Sequence, residues 1–269
     1  MKNTFSKRLG SMLKVDFKRL FLSRSFYIIV AASLLAPILI LVMTTMMDGS
    51  VSVNPQTGEE TVIEGFDNVW QIIGSVSDPN ASASGDMSAM SMDIVSMCNI
   101  NMLYFAIAAL VCIFVADDFR SGYAKNLFTV RAKKSDYVIS KTLAGFVCGA
   151  MMLVAYLIGA MLGGAISGLS FDLHGLNVGN LVCCMLAKVF LMLVFVSIFT
   201  LISVAAKQKA WLSICGSLGG GMLLFMMVSM ITPLGSTMMN VVLCLAGGAM
   251  FAFGLGAISK IVLKKTSLV

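Results

Sequence analysis

Residues 114–145 read FVADDFRSGYAKNLFTVRAKKSDYVISKTLAG. They form the one long charged run between two strongly apolar segments, in a chain only 12% charged. Phe119, Tyr123, Leu127 and Val130 recur at four- and three-residue intervals, which predicts a short amphipathic helix. Ser135 suits an N-cap, and Asp136 sets a negative charge at the positive end of the next helix dipole. The stretch therefore predicts a membrane span ending, a short surface helix, a basic turn and a new span beginning.

Working outward, the 269 residues are 58% hydrophobic, with a mean hydropathy of +0.94, which excludes an ordinary soluble domain. A bilayer core of roughly 30 Å demands about 20 apolar residues per crossing. Six runs meet that length, at about 26–47, 94–116, 138–165, 180–206, 210–232 and 238–262. The expected fold is an all-α integral membrane domain over 26–269, preceded by a basic amphipathic helix at 1–25. In that helix Phe5, Leu9, Met12, Leu13, Phe17, Leu20 and Phe21 share one face. Its cations are expected on lipid headgroups at the membrane interface. A signal peptide is the rival reading, but no small-residue cleavage site follows the apolar run.

Of the 19 basic residues, all but Lys188 flank the apolar runs: before the first, within 117–141, at Lys207 and Lys209, and at Lys260, Lys264 and Lys265. Segment 48–93 has none, only the acids Asp48, Glu59, Glu60, Glu64, Asp67, Asp78, Asp86 and Asp93. By the positive-inside rule both termini are expected in the cytoplasm and 48–93 outside. The net charge of +6 is then topological. Basic residues split among membrane flanks do not make a nucleic-acid surface. Within 48–93, Val62, Ile63, Phe66, Val69, Trp70 and Ile73 predict a short helix on the outer surface or capping the bundle. The seven cysteines lie in or beside apolar runs without a CxxC, and are read as small apolar residues.

No chemistry of catalysis is encoded in recognisable form. There is no GxxxxGK[ST] phosphate loop, no HExxH and no GxSxG. The six runs contain no acid, the usual mark of ion-coupled carriers. Lys188 lies about eight residues into the fourth run, roughly 10 Å deep at about 1.5 Å per residue. Such a charge faces a cavity or partner, or it snorkels to the surface. With Asn99 and Asn101 near the outer end of the second run, it is a candidate for a translocation path. Gly145/Gly149, Gly159/Gly163 and Gly216/Gly220 have the spacing that lets helices approach closely, and Gly219–Gly221 is a candidate helix break.

An acidic pair after the second span, then Gly122, a short helix and the basic RAKKSDYVISK leading into the third span, resembles the permease subunits of ABC-2 type transporters. The resemblance implies that segment 117–137 is a cytoplasmic coupling segment between spans two and three. Phe119, Gly122, Tyr123, Leu127, Phe128 and Val130 would then contact a separate ABC ATPase subunit. It also implies a second copy or a homologous permease as partner, a lipid-embedded location in the cell membrane, and ATP bound by the P-loop partner, with no cofactor in this chain. Export of a peptide, drug or other amphipathic substrate, including antimicrobial-peptide export or immunity, would follow. The alternatives are a non-transport sensor or assembly factor recruiting a cytoplasmic protein, and a secondary carrier.

Overall fold

The computed structural model describes residues 5–53, 60–62, 65–74, 99–130, 133–173, 175–207 and 209–265. Eight helices follow one another among them: α1 (Phe5–Leu22), α2 (Arg24–Met47), α3 (Leu103–Arg120), α4 (Tyr123–Val130), α5 (Lys134–Ser167), α6 (Val178–Ala206), α7 (Ala210–Ile231) and α8 (Met238–Lys265). Between α2 and α3 lie two short antiparallel strands, β1 (Val51–Val53) and β2 (Glu60–Val62), with Val51 opposite Val62. Among the described residues of this segment are also 3-10 turns at Val69–Ile72 and Ile100–Met102.

Among the described residues, five helices are long and apolar enough to cross a bilayer: α2, α3 with the turn before it, α5, α6 and α8. The helix expected at 210–232 is present as α7, 22 residues long. Its Gly219–Gly221 run continues the helix and makes no break. The second apolar helix spans 100–120 rather than 94–116; residues 94–98 lie outside the described ones. Helix α6 packs on α3, α5, α7 and α8, while α2 packs mainly on α5. The most apolar window of α3 is 61% buried and that of α8 only 17%, so α3 is an inner helix and α8 a peripheral one. Exposed Leu35, Leu39 and Met43 on α2, and Met250, Phe253 and Ile261 on α8, face outward from the bundle.

The glycine spacing explains how close the helices come. A Cβ on Gly163 would lie 2.9 Å from Ile38 Cα, and one on Gly159 would lie 2.7 Å from Pro37 Cγ, so this face of α5 seats α2. Gly145 and Gly149 do the same against Val196 and Met192 of α6, at 2.8 and 2.6 Å. Both pairs pack within the chain. The proline that could have kinked α2 sits in this seam, and the helix runs through it. Buried hydroxyls hold α7 in place. Ser213 Oγ donates to Ser203 Oγ of α6 at 2.8 Å, and Ser217 Oγ lies 3.2 Å from Cys112 Sγ of α3.

The two ends of the bundle differ in charge. At one end Asp48, Asp67 and Asp172 are exposed; at the other the ends of α3 and α8 meet α1, α4 and the start of α5. The acidic end is closed by a buried cap rather than by the expected helix over 62–73. Asn68 Oδ1 accepts from Trp70 N at 2.9 Å, which fixes a single 3-10 turn. Backbone bonds tie that turn to the α5–α6 loop, with Val69 N donating to Ser170 O. Trp70 Nε1 donates to Phe171 O at 2.9 Å, and Val69, Ile72 and Ile73 are fully buried beneath. Ile63 lies outside the described residues.

Candidate functional site

The basic end carries two departures from the sequence expectations. Lys133, not Ser135, precedes the first turn of α5, and Ser135 Oγ instead lies 3.3 Å from Asp136 Oδ1. Helix α1 also docks on α5, so its arginines do not all reach lipid. Arg8, Met12, Asp16, Arg19 and Leu20 fall at three- and four-residue spacings and therefore share one face. That face is turned inward, while Lys7, Lys14 and Lys18 are exposed.

On α3, Asp117 and Asp118 are consecutive and so point about 100° apart on the helix. Asp117 is exposed and Asp118 fully buried. On α5, Asp136, Tyr137, Ser140 and Lys141 line one side of the first two turns. The three helices bring these groups together. Lys141 Nζ donates to Asp16 Oδ1 at 2.8 Å and pairs with Asp118 Oδ2 at 2.7 Å. Arg19 Nη1 donates to Asp118 Oδ1 at 2.6 Å. Tyr137 OH donates to Asp118 Oδ2 at 3.0 Å, and Ser140 Oγ to Asp16 Oδ2 at 2.5 Å. At the rim, Arg8 Nε donates to Asp136 Oδ2 at 3.1 Å.

Two carboxylates and two cations thus balance in a closed cluster. Burial would lower the Arg19 pKa, but the neighbouring Asp118 outweighs it and raises it. Aromatic faces complete the cage: Phe114 lies 3.7 Å from Lys141 Nζ, and Tyr123 of α4 lies 4.2 Å under Arg19. Burial, with Asp16 and Asp118 nearby, raises the Tyr123 pKa and keeps the phenol neutral.

Helix α4 begins after Gly122, whose φ of 73° makes the turn out of α3 that a side chain would strain. Phe119, Leu127 and Phe128 pack partly against the bundle, and the Phe128 ring meets Tyr137 edge-on at 5.3 Å. Val130 ends the helix. The apolar face expected to meet a partner is thus half covered by the chain itself, and Lys125, Asn126 and Thr129 are what α4 shows outward. Lys134 Nζ donates to Leu263 O at 2.6 Å, which links the start of α5 to the end of α8.

Lys188 does not snorkel. It is fully buried, and its Nζ donates to Asn101 Oδ1 at 3.0 Å and to Thr232 Oγ1 at 2.9 Å. Tyr104 OH donates to the Lys188 carbonyl at 3.0 Å. The structure therefore joins two of the three residues named for a translocation path. Asn99 stands beside them, its Oδ1 accepting from Asn101 N to start the turn. Among the described residues no cluster of His, Cys, Asp and Glu could hold a metal ion.

Asp16 and Thr232 escaped the sequence reading, and Asp118 entered it only as one of an acidic pair, without its buried role. Asp16 had a signal, being the one acid among the bases of α1 and in register with Met12 and Leu20. Thr232, one residue before Pro233, closed the 210–232 run with nothing to mark it out.

Among the described residues, the fold and these two sites define a predominantly helical chain with five candidate membrane-spanning helices, a buried ionic cluster at its basic end and a buried lysine nearer the other. No protein-family model, curated protein or solved structure matches the chain.

Proposed function

We propose that the chain is the permease subunit of an ATP-driven exporter of the ABC-2 type. In this reading it has six spans, both termini in the cytoplasm, and an amphipathic substrate. A separate P-loop subunit hydrolyses ATP, and a second permease completes the path. The observation that carries the reading is the placement of α4. It is a short helix with a polar outward face, at the basic end, joined through Tyr123 and Arg19 to a buried ion cluster that grips α1, α3 and α5. A push on α4 would be passed to all three helices, because that cluster has little freedom to yield.

The sixth crossing is supported by connectivity. Helix α6 ends at Ala206 near the basic end, and Asn180 Nδ2 donates to Gly235 O just before α8, at the acidic end. In this reading α7 runs between them.

The test is to purify the chain from its native cells by a tag on this chain alone, identify what co-purifies, and reconstitute it in proteoliposomes. Stoichiometric recovery of a P-loop ATPase, with hydrolysis that depends on this chain, is expected. Recovery of no ATPase would leave a sensor or assembly factor, and transport driven by a proton gradient alone would make it a carrier.

A further inference from the structure

Helices α6, α7 and α8 part to leave an apolar cleft of about 370 Å³. Leu191, Val228, Cys244 and Gly247 line it, and exposed Met227 and Leu243 stand at its rim, so it opens sideways from the bundle. Lys188 and Thr232 lie about one helical turn beyond Leu191 and Val228, behind the lining itself, and Lys188 is near enough to Cys244 of that lining to interact with it electrostatically. Lys188 there has only neutral acceptors, the amide oxygen of Asn101 and the hydroxyl of Thr232. Among the described residues no carboxylate pairs with it, and its third N–H has no acceptor.

A buried ammonium without a counter-charge is held at a cost that an incoming anion would offset. Asn101 carries an amide donor that it can turn toward an anion, while the Thr232 hydroxyl already donates to Val228 O at 2.7 Å. The volume lies at the small end of ligand pockets, suited to one alkyl chain and too small for two.

We propose that this cleft binds a single-chain fatty carboxylate, its head on Lys188 and its alkyl tail between α6, α7 and α8. As the substrate class of the exporter the assignment rests on the reading above; as a binding site it does not. Entry is lateral, past Met227 and Leu243, and the carboxylate supplies the charge that Asn101 and Thr232 lack.

The full chain in nonionic detergent is titrated with a dansyl-labelled long-chain fatty acid and with its neutral methyl ester. The acid is expected to bind at least tenfold tighter than the ester. Lys188→Met should level the two affinities, while Lys188→Arg should preserve the preference. A Cβ on Gly247 meets nothing within 4 Å, so Gly247→Phe can fill the cleft without moving backbone and should weaken both probes at least tenfold. Equal binding of acid and ester by the unaltered chain overturns the proposal, whatever the variants do. So does an acid preference that survives Lys188→Met. Binding with the expected dependence, in a chain that recovers no ATPase, upholds the site while sinking the exporter reading.

Discussion

Lys141 shows how much can depend on one side chain. It is fully buried, and both of its ionic partners are at most 1% exposed. Removing one member of such a cluster leaves carboxylates that water cannot reach, which typically costs about 3–5 kcal/mol. Lys141→Met would leave Asp16 and Asp118 facing the single cation of Arg19. We expect it to lower the unfolding temperature of the detergent-solubilised chain by on the order of 10 °C, at roughly 2–4 °C per kcal/mol. Adding Asp16→Asn removes one surplus charge and should restore more than half of the loss. If Lys141→Met melts with the unaltered chain, the cluster does not hold α1 to the bundle. Arg8→Ala should do less, because the Arg8 side chain is 26% exposed, so that water partly screens its pair with the buried Asp136.

At the scale of the element, α4 separates what periodicity can tell from what it cannot. The spacing of Tyr123 and Leu127 announced a helix, because an apolar stripe must be covered by something. Phe119, counted in the same stripe, belongs to α3 on the other side of the Gly122 turn. The spacing could not say whether the cover is lipid, a partner or the chain itself. Here Tyr137 and Arg19 cover much of it. The same ambiguity misled the reading of 62–73, where a helical period arose from residues that cap the bundle around one Asn68-fixed turn. Glycine spacing was more legible, since a Cβ-free stripe in an apolar helix serves close approach. Asp16 was least legible, because its partners lie more than a hundred residues away in sequence.

For α4 a pair of variants follows. Lys125→Glu with Asn126→Ala alters only the exposed face. It should cut recovery of the ATPase at least tenfold, about 1.4 kcal/mol, with no change in melting. Tyr123→Ala with Leu127→Ala removes inward contacts and should lower the melting temperature first. If the outward pair retains the ATPase in full, α4 is not the docking element.

For the whole molecule, orientation and the number of crossings can be tested together. Exposed Lys7, Lys14, Lys18, Arg24, Arg120, Lys125, Lys260 and Lys264 crowd one end of the bundle, and exposed Asp48, Asp67 and Asp172 mark the other. Basic flanks are retained in the cytoplasm, so the end with α1 and α4 should face inward. The number of crossings turns on α7. If it crosses, the loop at Lys209 and the loop at Thr237 lie on opposite sides; if it folds back, they lie on the same side. Ser50, Lys209, Thr237 and Lys264 are all exposed, and each can be made the sole cysteine of a chain whose native cysteines are replaced. In intact cells an impermeant maleimide should label Ser50→Cys and Thr237→Cys. Lys209→Cys and Lys264→Cys should react only after the cells are opened. Labelling of Lys264→Cys from outside would reverse or break the assignment of the ends. Protection of Thr237→Cys beside a labelled Ser50→Cys would reduce α7 to a re-entrant helix. The C-terminus would then emerge opposite α1, and the bond from Lys134 to the Leu263 carbonyl would have to be lost.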